Sequence, residues 1–233
     1  MLLGSFDLLA DDPSGFFRLT VLIVFALVTA VTIHEFSHAL VANSLGDNTA
    51  RRLGRLSLNP MRPLDPGGTI MMFLAGFGWG KPVPVDPRQL SHGQAGTALV
   101  AVAGPLSNLV FAFLLAIPFK TGVLVPASLS LDRVAHVMTG GLSEGIADVL
   151  VVVIFFNLLL GVFNLLPLAP LDGSRVLAGF VPSEQSAAYA KFQRNGPGIL
   201  VAIIMLDFPL GLGILWGIIG PVVGLLTTAA TGY

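Results

Sequence analysis

Residues 19–42 read LTVLIVFALVTAVTIHEFSHALVA. No charge appears between Arg18 and Glu35, and the apolar run continues to Ala42. About 20 mainly apolar residues cross the hydrocarbon core of a bilayer, so this stretch predicts a membrane helix over 17–43. Near its end stand His34, Glu35, Phe36, Ser37 and His38. Positions i and i+4 share a helix face, so both imidazoles can address one metal ion. Glu35 lies beside them, placed to take a proton from an attacking water. Each ionisable residue inside a membrane costs at least about 2.5 kcal/mol. Three in five residues need compensation, which a metal provides; the plainer alternative is a polar pair satisfied inside a helix bundle.

The rest of the chain repeats the apolar pattern. Gln89–Phe119 and Val149–Leu171 carry no formal charge, and Gly196–Tyr233 carries one, Asp207. Further spans are expected over 97–119 and 146–169. Residues 196–230 should form a hairpin or broken helix, divided at Asp207-Phe208-Pro209, with Asp207 itself a cap or turn residue. The expected fold is an all-α polytopic membrane protein of four to five transmembrane helices, forming a single domain over 1–233. Gly68–Gly80 is apolar but too short to span, so a re-entrant or interfacial β-hairpin-like loop is expected after the first span. The first residues lack the basic n-region of a signal peptide.

Composition excludes several classes. The 233 residues are 54% hydrophobic and 11% charged, with a mean hydropathy of +0.85, against about 25% charged in a soluble domain. A net charge of −1 speaks against a basic nucleic-acid binder. The absence of cysteine removes thiolate catalysis, Cys-based zinc sites and iron–sulfur clusters. Arg51, Arg52, Arg55, Arg62, Lys81 and Arg88 crowd the first inter-span segment, and Arg175, Lys191 and Arg194 follow the third span. The positive-inside rule therefore places 44–96 and 172–195 on the cytoplasmic side, with the active site nearer that face.

A catalytic zinc site wants three protein ligands, one more than the two histidines supply. His92 and His136 have no partner motif, and a surface role is expected for each. Asp172 ends the stretch Asn164-Leu-Leu-Pro167-Leu-Ala-Pro170-Leu-Asp172-Gly173. Pro167 and Pro170 should break the helix, and irregular backbone at membrane depth is tolerated only beside protein or a water-filled cavity. A carboxylate presented there suits a third ligand, the alternative being an N-cap of the following segment. Asn108, in Gly104-Pro105-Leu106-Ser107-Asn108, and Asn164 are candidates to hydrogen-bond a scissile carbonyl or its oxyanion. Buried asparagines that bridge helices are the alternative for both.

HEFSH at 34–38, GPLSN at 104–108 and NLLPLAPLDG at 164–173, in this order on successive spans, resemble the site-2 protease family of intramembrane zinc metallopeptidases. The resemblance covers about residues 20–180. It implies one zinc ion bound by His34, His38 and Asp172, with Glu35 as general base and later proton donor. Its implied substrates are membrane-embedded or membrane-proximal segments of other proteins, so the partners are transmembrane proteins and the lipid bilayer, with no nucleic acid. Leu58-Asn59-Pro60, Asp65-Pro66-Gly67-Gly68 and Gly78-Trp79-Gly80-Lys81-Pro82-Val83-Pro84-Val85 are similar to the family's stretch after the first motif. Val83 and Val85 are candidates for an edge strand that clamps an unwound substrate by strand addition; a membrane-surface hairpin is the alternative. The family's histidine before the aspartate is replaced by Arg62-Pro63-Leu64. HEFSH comes too early for a complete preceding span, and no PDZ-like insertion or nucleotide-binding module is expected. That leaves a minimal core, with substrate choice resting on the core, an adaptor or prior trimming. Homo-oligomerisation stays open. Two other functions fit intramembrane His and Asp: a metal-binding transporter and a non-catalytic scaffold for membrane helices. The retained Glu35 disfavours the scaffold, because a structural zinc site has no use for a base.

Overall fold

The computed structural model describes residues 6–68, 80–125, 141–182 and 185–233. A short helix α1 (Phe6–Asp11) leads into α2 (Pro13–Ser44). Asp12 starts α2 by accepting a hydrogen bond from Gly15 N at 3.0 Å, with Pro13 at the first helical position. At about 1.5 Å per residue, α2 is longer than the hydrocarbon core is thick, and it extends the expected span at both ends. Then follow α3 (Thr49–Arg52), α4 (Gly93–Leu115), α5 (Ile117–Lys120) and α6 (Leu142–Asn164). Last come α7 (Asp172–Ala178), α8 (Ser186–Leu210) and α9 (Ile214–Thr231). Among the described residues, four segments are long and apolar enough to span: Pro13–Ser44, Gly93–Lys120, Leu142–Asn164 and Ile214–Thr231.

Helices α2, α4 and α6 pack on one another, and α9 lies mainly against α6. Small residues permit the close approach: Ala26 and Ala30 on α2 and Ala112 on α4 are completely buried. A Cβ at Gly161 of α6 would lie 3.0 Å from the Pro105 carbonyl oxygen of α4. Leu19, Leu22, Ile23 and Ala26 meet Val152, Val153 and Phe156 at one end of the trio. Around Ala112, Ile154 and Leu158 a second core takes in Ile219 and Val223 of α9. Outward-facing Phe17, Val21, Val110, Trp216 and Leu225 are exposed, as lipid-facing positions must be.

Two expectations change in detail. The C-terminal block does divide into two helices, but the break falls at Gly211–Gly213 rather than at Asp207-Phe208-Pro209. Gly211 and Gly213 adopt φ of +59° and +65°, a turn glycine makes without steric cost. Asp207 accepts from Ile214 N (2.7 Å) and Leu215 N (3.2 Å), so it caps α9 from the preceding helix. The other change concerns the loop after α2. Residues 69–79, which hold most of the expected re-entrant segment, lie outside the described residues, as does His136. The described flanks contain no strand, only one antiparallel bridge between Leu64 and Gly80. Val83 and Val85 belong to no ladder, because Pro82, Pro84 and Pro87 withdraw the N–H donors that a ladder requires.

The base of this loop is pinned. Asp47, just past α2, is completely buried; it accepts from Thr49 N at 2.9 Å and Asp86 N at 2.7 Å. Burial alone would raise its pKa, but the hydrogen bonds from Thr49 and Asp86 prevail and hold the carboxyl below the usual carboxylate range. Ser91 N and Oγ both donate to the Leu45 carbonyl, at 2.8 and 2.7 Å. The loop's two ends are thus riveted together beside the end of α2.

Candidate metal centre

His34 and His38 lie one turn apart on α2 and are both buried. Their Nε2 atoms are 3.0 Å apart. Oδ2 of the buried Asp172 lies 3.0 Å from Nε2 of His34 and 3.2 Å from Nε2 of His38. Asp172 reaches this point because α6 stops at Asn164 and the chain turns through Leu165–Leu171 before α7 begins. It occupies the first residue of α7; Leu171 is the N-cap. Gly173 makes the turn possible, since a Cβ there would fall 2.5 Å from the Leu166 carbonyl oxygen.

A chain of hydrogen bonds fixes which ring nitrogen carries the proton. Asn157 Nδ2 donates to the Val153 carbonyl at 2.8 Å, leaving its Oδ1 to accept from Asn108 Nδ2 at 2.8 Å. The other amide hydrogen of Asn108 goes to the Ala30 carbonyl at 2.9 Å. Its Oδ1 therefore faces His34 Nδ1 at 2.7 Å, and the imidazole must donate. His38 Nδ1 likewise donates to the Val100 carbonyl at 2.7 Å. Both Nε2 lone pairs then point at each other and at a carboxylate. Three acceptors in mutual contact repel unless a cation stands between them. Metal-ligating histidines use their second nitrogen in this way.

Spacing agrees with the chemistry. Four-coordinate zinc with bonds of about 2.0–2.1 Å holds its ligand atoms about 3.3 Å apart. The observed separations are a few tenths of an ångström shorter, so a small outward movement admits the ion. The donors also match zinc, with two imidazoles and one carboxylate. Among the described residues, these three side chains are the group of metal-ligating residues close enough to share an ion. Gly104 forms the floor: a Cβ on it would strike the His38 imidazole and lie 2.7 Å from His34 Nε2.

Glu35 follows His34 directly and is half-buried. Its Oε2 accepts from Val83 N at 3.0 Å, so the loop after α2 reaches the flank of the site. Asn108 sits behind His34 with both amide hydrogens spent on Ala30 and Asn157. Asn164 ends α6 and donates to the Leu160 carbonyl of its own helix at 3.0 Å. Among the described residues, no hydrogen bond joins it to His34, His38 or Asp172. Val83 touches the site through its backbone; Val85 makes no hydrogen bond to it. His92 lies apart, at the start of α4 with φ of +67°. The sequence reading did not single out Asn157, the Val100 carbonyl or Asp47. Only Asn157 carried a signal, as an amide within the uncharged stretch Val149–Leu171.

The profile of peptidase family M50 matches residues 22–206, a stretch that holds His34, Glu35, His38 and Asp172. The chain belongs to peptidase family M50. As a member it is a metalloprotease, and the resemblance to site-2 proteases seen in the motifs is the same relationship. YwhC of Bacillus subtilis is 40% identical over 194 residues, covering 83% of this chain and 84% of its own. Rip2 of Mycobacterium tuberculosis is 30% identical over 183 residues, covering 77% of this chain and 64% of its own. Both bear the name "Putative zinc metalloprotease". No solved structure matches the M50 chain.

Proposed function

We propose that this M50 protein hydrolyses peptide bonds within or beside transmembrane segments of other membrane proteins. The observation that carries the proposal is the convergence of His34, His38 and Asp172 with Glu35 alongside, on a helix long enough to span a bilayer. One zinc ion held by His34 Nε2, His38 Nε2 and Asp172 Oδ2 would supply Lewis acidity and an activated water. Glu35 serves as general base, taking the proton of the attacking water and returning it to the leaving amine. Its Oε2 accepts from Val83 N–H, which leaves Oε1 for that task. Asn108 keeps the His34 ring in its ligating tautomer; of the two asparagines, Asn164 is the one with a donor left for the substrate carbonyl.

A substrate helix must unwind before its carbonyls can react. The segment around Val83 and Val85 borders the base and is the surface we assign to holding such an unwound strand, as an unladdered chain rather than as a sheet edge. The basic loops favour a site near the cytoplasmic face, where water would have a short path.

The test is cleavage of a panel of single-span proteins in liposomes by the purified chain. Wild type should cleave; Glu35→Gln should lose at least about a hundredfold in rate, the scale of general-base catalysis, with equal zinc by mass spectrometry. Movement of metal across the liposome membrane without cleavage would favour the transporter reading. Absence of stoichiometric metal after supplementation would sink the site.

A further inference from the structure

The contact between Glu35 and the Val83 amide needs an explanation, because it joins the proposed base to a stretch, residues 81–86, that belongs to no strand or helix. Prolines on both sides bias Val83 toward an extended conformation but do not place it. The placing is done from the other limb of the loop. Arg55 donates through Nη1 to the Arg62 carbonyl, and through Nη2 to the Lys81 carbonyl and, at 3.5 Å, to the Pro82 carbonyl. One guanidinium therefore ties both limbs together and takes hold of the two residues that precede Val83.

Other contacts reinforce this clasp. Lys81 N donates to the Pro63 carbonyl at 2.8 Å, next to the Leu64–Gly80 bridge. The Arg62 guanidinium returns to the Gly54 carbonyl. Gly54 has φ of +68°, and a Cβ there would collide with that guanidinium. Arg55 and Glu35 also line one recess, together with Thr32, Ser57, Arg62 and Pro63. Carbonyls on separate limbs call for a planar fork of donors, which arginine has and lysine lacks.

We infer that Arg55 is a positioning residue for catalysis. By holding the Lys81 and Pro82 carbonyls it sets the Val83 N–H on Glu35 Oε2 and so fixes the orientation of the base. Arg55 itself touches neither the ligands nor Glu35 by a hydrogen bond. The inference rests on Glu35 being the base, and its readouts are chosen so that the two ideas fail separately.

Two variants break the path at different points. Arg55→Gln removes the fork, and Val83→Pro removes the N–H while keeping a backbone the flanking prolines already favour. Each should lower kcat by about ten- to a hundredfold, the range for groups that orient a reacting side chain, with KM changed less than threefold and zinc content unchanged. The double variant should be no slower than the worse single one, since both cut one path. Arg55→Lys should recover only part of the lost rate. Independently of activity, amide hydrogen exchange at Val83 in proteoliposomes should speed up in Arg55→Gln and in Glu35→Ala, with the α4 amides unchanged.

Additive losses, a defect carried by KM, or full rescue by lysine would overturn the inference, the second by making Arg55 a substrate-binding group. Unchanged Val83 exchange in Arg55→Gln would overturn it whatever the kinetics, including where Val83→Pro does not fold. If Glu35→Gln retains full activity while Arg55→Gln still speeds Val83 exchange, the base assignment fails and the mechanical link stands.

Discussion

His34 and His38 are held from behind by groups deep in the helix trio: Asn108 in one case, the Val100 carbonyl in the other. Asn108 is itself locked to α2 and α6 through Ala30 and Asn157. Glu35, one residue away, is half-buried, and its hydrogen bond comes from a loop clasped by partly exposed arginines. The proposed ligand half is thus built into the packing of three membrane helices, while the proposed base half is completed from outside them. A site divided in this way would keep its proposed metal while the proposed base is adjusted, because the two depend on different contacts.

The sharpest way to break the ligand half alone is Gly104→Ala. The new methyl would occupy space the two imidazoles fill, and rings fixed at Nδ1 cannot turn aside. Stoichiometric zinc should be lost, measured by mass spectrometry of the detergent-purified protein, with activity lost in proportion. Exchange at Val83 should stay within about threefold of wild type, because a change on α4 does not reach the loop's hydrogen bonds.

Asn108→Leu is the milder version. It removes the acceptor for His34 Nδ1 and leaves Asn157 Oδ1 without its donor. Loss of a hydrogen-bond partner of a ligating histidine lowers metal affinity by about 10–100-fold, which chelator competition would register as a shift in the zinc dissociation constant. An unchanged constant would mean that the ring orientation is set by helix packing alone, and the contrast between the two halves would need redrawing.

The smallest effect belongs to the loop's neck. The Asp47 carboxyl titrates below its unfolded value, so its stabilising bonds are fully present above the ordinary carboxylate range and are lost only as pH falls through the depressed folded value. Hydrogen-exchange protection of Asp86–Ser91 should be flat from neutral pH down to about pH 4 and decline below it. Asp47→Asn should cost about 1–3 kcal/mol locally, as expected for a buried hydrogen-bonded group deprived of its charge, and should flatten the acid response while zinc affinity stays put.

Much of the ligand half was legible because side-chain chemistry and spacing carry it. The i, i+4 histidines lie on one helix face, and the prolines before Asp172 announce irregular backbone where a carboxylate is presented. Asn108 shows where that legibility stops. Its place in the middle of a span marked a buried amide, but whether it faced a substrate or a histidine depends on helix rotation, which spacing within one helix does not encode. The base half was harder still. The donor to Glu35 is a backbone N–H, and every residue except proline has one; only the Pro82-Val83-Pro84-Val85 alternation singled out the amides that remain. The C-terminal break moved from Pro209 to Gly211–Gly213 for a related reason. A proline removes one helical donor without by itself setting where the helix stops, whereas the left-handed turn that separates two helices asks for glycine.

The rivet at Asp47 also governs loop-closure entropy. Bringing together the ends of a loop of about 40 residues costs about 3 kcal/mol by the logarithmic law, and the bonds from Thr49, Asp86 and Ser91 meet that cost at the neck. Among the described residues beyond the neck, the loop meets α2 through the Val83–Glu35 hydrogen bond, while the neck itself closes whatever length of chain it encloses. Lengthening the loop at the exposed stretch Leu58–Met61 would add only a few tenths of a kcal/mol for several residues. A short peptide inserted there should therefore leave hydrogen-exchange protection at the neck unchanged.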